Sequence, residues 1–214
     1  MPHPLYRDRS HSGRVLSAHL AGHLAGPDVL VLGLPRGGVP VAAEVARALG
    51  APLDVLVVRK LGVPGQPELA MGALAPGGVR VLNDHVVRTL GIAASVVDTV
   101  AAAEAAELRR REHAYRDARP PLDVSGREVV LVDDGLATGA SMRAAVSAAR
   151  LLGAARVVVA VPVGARGACE ELSGMADEVV CTTVPEHFRS VGDCYRDFDQ
   201  TTDEDVTALL RRSG

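Results

Sequence analysis

Val129-Val130-Leu131-Val132-Asp133-Asp134-Gly135-Leu136-Ala137-Thr138-Gly139-Ala140-Ser141 is an apolar strand that ends in two carboxylates and passes through a turn of small residues into a helix. Ligands of open α/β sheets lie beyond the carboxyl ends of the strands, so Asp133 and Asp134 are expected at such a crevice. The small residues Ala137, Thr138, Gly139, Ala140 and Ser141 let backbone N–H groups close around a phosphate monoester, and the helix N-terminus that follows favours its negative charge. Thr138 and Ser141 add hydroxyl donors. Adjacent acids beside a phosphate site suit the vicinal hydroxyls of a ribose, so acids for hydroxyls and amides for phosphate together read as a ribose 5-phosphate site. Asp-Gly alone is a common turn dipeptide; the whole run in its strand-to-helix setting is more than a turn.

Outward from this run, strands and helices alternate. Upstream, Val15, Leu16, Leu20 and Leu24 share one helical face, 28–32 is a continuous apolar strand, 39–49 reads as a helix stopped by Gly50, and 53–58 is another strand. Residues 62–78, rich in Gly and Pro, predict a long loop with a short strand near 71–74. A strand resumes at 79–82, Asn83 caps a short helix, and 94–118 predicts a long, mostly solvated helix that ends before Pro120. Its triplet Arg109, Arg110 and Arg111 is given no ligand role. Downstream come strand 128–132, helix 141–152, strand 156–161, helix 167–173 and strand 178–181. A last helix starts at Thr202, with Asp205 in place of the usual Glu or Gln of a capping box. The pattern predicts one α/β domain over 1–214, with a parallel-sheet core and helices on both faces.

Composition narrows the partners. With 214 residues, 48% of them hydrophobic, the chain can bury one sizeable core. A net charge of -3 offers no general attraction to nucleic acid or anionic lipid, so neither is expected as a partner. No apolar run approaches the roughly 18 residues of a membrane span, and the N-terminus lacks a signal-peptide core, so a cytoplasmic location is expected. Cys169, Cys181 and Cys194 are odd in number and show no CxxC spacing, which argues against a disulfide framework or a thiolate metal site. His19 and His23, four apart on a helix, lack a third ligand, and no protein-held metal is expected.

Two further stretches carry charge at strand ends. In Leu34-Pro35-Arg36-Gly37-Gly38, two glycines after an arginine suit close backbone approach to an anion, or else only a tight strand-to-helix turn. Arg59-Lys60-Leu61-Gly62 places two cations where a strand meets the Gly/Pro segment. Lys60 is the sole lysine among 23 basic residues, in a composition biased towards arginine, which singles it out for its chemistry. His187, Tyr195 and Phe198 gather in 184–200, in a chain only 2% aromatic. That segment reads equally as a hood that stacks an acceptor base and as a small satellite core.

At this point the sequence resembles the type I phosphoribosyltransferases, whose signature is an apolar strand, two acids, a short turn and a Thr-Thr-Gly-x-Thr-like phosphate loop. Ala137 stands where Thr is frequent and Ser141 where Thr is usual. The resemblance implies that Asp133 and Asp134 hold the ribose 2- and 3-hydroxyls and that 137–141 cradles the 5-phosphate. It implies further that Arg36, Gly37 and Gly38 form the pyrophosphate loop. Arg59 and Lys60 are similar to the Arg-Lys start of the mobile loop of orotate-type members, so 62–78, with Glu68, would act as a lid. The implied reaction moves the ribose 5-phosphate group of phosphoribosyl pyrophosphate to a nitrogenous acceptor, with Lys60, Arg36 and Asp134 as catalytic residues. Mg²⁺ held mainly by substrate, a hood at about 184–200 and a homodimer are implied as well. The acceptor base is left open. A non-catalytic phosphoribosyl-pyrophosphate sensor is an alternative, as is a sugar-phosphate phosphatase or hydrolase using Asp133 as nucleophile.

Overall fold

The computed structural model describes residues 4–22, 24, 28–116 and 119–213, leaving out the side chains of Pro67 and Glu68. The chain begins α1 (Arg9–Leu20), β1 (Val29–Gly33), α2 (Gly38–Leu49), β2 (Leu53–Val55). It continues through β3 (Arg59–Val63), β4 (Gln66–Leu74), β5 (Arg80–Leu82), α3 (Asp84–Thr89) and α4 (Ala94–Arg116). The second half is β6 (Glu128–Val132), α5 (Ala140–Leu151), β7 (Arg156–Val163), α6 (Arg166–Ser173), β8 (Glu178–Thr183) and α7 (Asp203–Arg212).

Five strands form a parallel sheet in the order β2-β1-β6-β7-β8, so the strand ending in the acid pair is central. After Arg156 at the start of β7, its neighbours β1 and β7 are apolar because both faces are covered. Alternate residues go to opposite sides: Val130, Val132, Val158 and Ala160 pack with α1, α2, α4 and α7, whereas Val129, Leu131, Val157 and Val159 pack with α5 and α6. Helices therefore cover both faces, as the strand pattern predicts. The α4 stripe Val97, Ala101, Leu108 and Tyr115 is buried, and the rest of that helix is largely solvated.

Residues 62–78 differ from the expected long loop. Of these, 62–63 and 66–74 belong to a second, antiparallel sheet, β3-β4-β5, in which the short strand expected near 71–74 is the end of the longer β4. The glycines that suggested irregular chain have other uses here. Gly65 turns β3 into β4 with φ of 82°, and Gly72 lies so close to β5 that a Cβ would sit 2.5 Å from the Val81 carbonyl oxygen. The strand expected at 53–58 stops at Val55, where the chain leaves the parallel sheet, although Leu56 and Val57 remain buried.

Helix ends follow the sequence closely. Gly50 closes α2 in the left-handed conformation, Asn83 Oδ1 accepts the Val86 N–H, and Thr202 and Asp205 form a complete capping box. The hood expected from the C-terminal segment is stitched to the N-terminal one: the Tyr6 N–H donates to the Cys194 carbonyl (2.9 Å), and the Arg196 N–H donates to the Tyr6 carbonyl (2.8 Å).

Candidate functional site

At the C-terminal end of β6, Asp133 and residues 137–141 line one cavity of about 170 Å³, joined by Leu136 and by Val191 from the hood. Gly139 is left-handed (φ 72°) at the start of α5, a conformation that costs glycine nothing, and it turns the loop amides onto the helix N-terminus. Thr138 and Ala140 also border a second cavity of about 500 Å³, between the small sheet and α5, which holds Lys60. The loop therefore separates the expected phosphate seat from the lysine's cavity.

The two acids part company. Asp133 borders the smaller cavity, and its Oδ1 accepts the Asp134 N–H at 2.8 Å. Asp134 turns away. Its Oδ2 accepts Arg9 Nε at 2.8 Å, in an ion pair whose side chains are only 13% and 14% exposed. Burial raises the Asp133 carboxyl well above its ordinary range, and the neighbouring Asp134 charge raises it further. Burial raises Asp134 too, but Arg9 opposes it.

The glycine pair lies against these acids. A Cβ on Gly37 would sit 2.0 Å from Asp134 Oδ2, and one on Gly38 would sit 2.6 Å from the Val132 carbonyl oxygen. The Pro35-Arg36 peptide before them is cis. Arg36 Nη1 is 3.7 Å from Asp203 Oδ1, which accepts the Tyr115 hydroxyl at 2.6 Å. Arg59 is drawn off by α4: its Nε and Nη2 reach Glu104 Oε2 at 2.7 and 2.6 Å, and it lines neither cavity.

Tyr195 settles into a satellite core with Tyr6, Val163 and Cys194. Its hydroxyl lies 2.7 Å from the Asp134 carbonyl and 3.0 Å from Ser12 Oγ, and its ring stacks on Phe198 at 5.0 Å. His187 is exposed, and His19 Nδ1 meets its own helix at the Val15 carbonyl. His23 and the Glu68 side chain lie outside the described residues. Among the described residues no three His, Cys, Asp or Glu side chains converge as a metal cage. Sequence reasoning missed Arg9, Val191 and the Tyr195 hydroxyl; the Arg9 contact spans 125 positions and leaves no local pattern.

The parallel sheet brings Asp133, at the end of its central strand, and the start of α5 to one cavity. The chain belongs to the phosphoribosyltransferase family, type I: the family model described as phosphoribosyl transferase domain matches residues 11–199. A Mycobacterium tuberculosis (strain ATCC 25618 / H37Rv) protein provisionally named as a phosphoribosyl transferase is 53% identical over 209 residues, 98% of this chain. That match covers 47% of the relative, so the chain spans about half its length. The crystal structure of TT1426 from Thermus thermophilus is 49% identical with a TM-score of 0.88, over 97% of this chain and 98% of that one. The adenine phosphoribosyltransferase of Mycobacterium marinum (strain ATCC BAA-535 / M) is 34% identical over 160 residues, 72% of this chain and 67% of that protein. No helix among the described residues is long and apolar enough to cross a membrane.

Proposed function

We propose that the chain binds phosphoribosyl pyrophosphate and transfers its ribose 5-phosphate group to a nitrogenous acceptor, releasing pyrophosphate. The observation that carries this reading is the shared cavity of Asp133 and residues 137–141, which brings a carboxylate and the turn at the start of α5 to one space. At about 170 Å³ it falls below the roughly 300–1,000 Å³ of drug-sized sites, which suits a compact sugar phosphate. Family membership supports the same substrate class.

In the proposed reaction the acceptor nitrogen attacks the anomeric carbon. The bond to pyrophosphate breaks as the new C–N bond forms, and the electron pair leaves with the pyrophosphate. Lys60 and Arg36 are assigned to the charge of the leaving group, and Gly37 and Gly38 to backbone approach. Asp133 accepts from a ribose hydroxyl; Asp134 joins it there only by turning from the position it holds in the free protein. The donor set fits Mg²⁺ carried on substrate oxygens and water, since a hard carboxylate oxygen borders the cavity. When bound, that ion would offset phosphate charge.

Calorimetry with phosphoribosyl pyrophosphate and Mg²⁺, followed by pyrophosphate release assays with purine, pyrimidine and pyridine acceptors, tests the proposal. Magnesium-dependent uptake with release for one acceptor class is expected. Absence of uptake, or uptake indifferent to neutralising Asp133 and Asp134 together, would end it. Uptake without release for any acceptor would favour a sensor.

A further inference from the structure

Arg9 lies at the first turn of α1, far in sequence from everything that marks the site, yet its guanidinium serves two separate segments at once. Nε donates to Asp134 Oδ2 at 2.8 Å, Nη1 donates to the Asp199 carbonyl at 2.6 Å, and Cζ sits 3.9 Å from the centroid of the Phe198 ring. A planar fork that pairs with a carboxylate, donates to a carbonyl and lies on an aromatic face is work that an ammonium cannot share out in the same way.

Asp134 is held twice by this corner of the molecule, at its carboxylate by Arg9 and at its carbonyl by the Tyr195 hydroxyl. Its carboxylate also packs directly on Gly37. A movement of Asp134 is therefore felt by the hood through Arg9 and by the glycine turn through contact.

We propose that Arg9 is a positioning residue that couples the hood to the phosphoribosyl site, so that binding of the sugar phosphate and ordering of residues 190–200 are one event. The inference rests on the function proposed above. Ligand binding that draws Asp134 towards a ribose hydroxyl loosens its hold on Arg9, and Arg9 carries that change to Phe198 and Asp199. A residue with a merely structural role would lower stability without linking the two regions.

The test compares the full chain with Arg9→Met, Arg9→Lys and Phe198→Leu. Calorimetry measures uptake of magnesium phosphoribosyl pyrophosphate, and hydrogen exchange measures amide protection over 190–200 with and without it. In the unsubstituted chain, ligand is expected to slow exchange in the hood. Arg9→Met should abolish the ligand-induced protection, and because it frees Asp134 from a hold that binding must loosen, it should leave uptake unchanged or tighter. Arg9→Lys, which keeps the charge and loses the planar fork, should restore little of the protection. Phe198→Leu, which keeps the ion pair, should lose the protection as well and decides the matter if Arg9→Met fails to fold. Ligand-induced protection that survives in Arg9→Met or, where that variant does not fold, in Phe198→Leu overturns the coupling while leaving the proposed function standing. Failure of the unsubstituted chain to take up the ligand overturns both.

Discussion

Replacing Gly37 with alanine probes the closest approach in the site. Gly37 has φ -62° and ψ -31°, a right-handed conformation open to any residue, so the backbone itself gives no objection to a side chain. The obstacle is the Asp134 carboxylate: the new methyl would lie 2.0 Å from Oδ2 and 2.8 Å from Cγ, and one or the other must move by about 1 Å or more to reach ordinary contact. Oδ2 is not at liberty to move, because Arg9 holds it at 2.8 Å. Overpacking of this kind costs about 1–3 kcal/mol, which for a chain of this length lowers Tm by roughly 2–12 °C. In an Asp134→Ala background the obstacle is gone. The same Gly37→Ala change should then be neutral or stabilising by up to about 1 kcal/mol, through the reduced entropy of the unfolded chain. A double-mutant cycle by thermal and denaturant unfolding reads this reversal of sign. Equal cost in both backgrounds would refute the reasoning and return Arg36-Gly37-Gly38 to the status of a plain turn.

Asp133→Asn should raise Tm of the ligand-free protein at neutral pH while reducing uptake of phosphoribosyl pyrophosphate. The folded-state pKa of Asp133 is raised, so its contribution is full below the unfolded carboxylate value and is lost as pH rises through the folded one; the advantage of Asn should grow across that window in unfolding measured against pH. Lys60→Ala should slow turnover about a hundredfold with the fold intact, by steady-state kinetics, if the lysine meets leaving-group charge. Arg59→Ala, by contrast, should change turnover little and stability by no more than about 1 kcal/mol, because its partner is Glu104 at a partly exposed position. Thr202→Ala should cost about 1 kcal/mol in unfolding free energy, since it removes the side-chain acceptor for the Asp205 N–H.

Elements with a strong period or a terminal signal were legible from residues alone. The Gly50 stop and the Asn83 and Thr202 caps rest on contacts within a few positions, and the runs of β1, β6 and β7 show themselves by continuous apolar composition. Residues 62–78 were misread because glycine and proline signal irregular chain locally, whereas Gly72 is needed for close approach between β4 and β5, which only the pairing reveals. The turn of small residues at 137–141, which leads through the left-handed Gly139 into α5, was legible for the same local reason as the caps. Arg9 was not, nor was the burial of Tyr195, since each depends on the two chain ends meeting over β6 and β7. Lys60 and Arg59 show the limit from the other side: adjacent cations read as a pair from sequence, yet one lines a cavity and the other is tied to α4.

Adjacent acids divide in the same way, and the cause is the bend that follows the strand. β6 ends at Val132 and the chain bends at Asp134, so the two side chains leave the backbone into different surroundings. In the free protein Asp134 lies on the side where Arg9 answers its charge, and Asp133 lies on the side where the ligand would sit. The acid facing the cavity is thus the one with the stronger penalty for being charged, and both burial and its neighbour add to it. A ligand hydroxyl that donates to Asp133 relieves that penalty, so part of the cost carried by the empty site is returned on binding. On this account Asp133→Asn should raise Tm of the free protein more than Asp134→Asn does, because burial penalises both charges but Arg9 offsets part of the penalty at Asp134, whereas the Asp134 charge adds to it at Asp133. A gain from Asp134→Asn as large as that from Asp133→Asn would mean that Arg9 does not divide the pair.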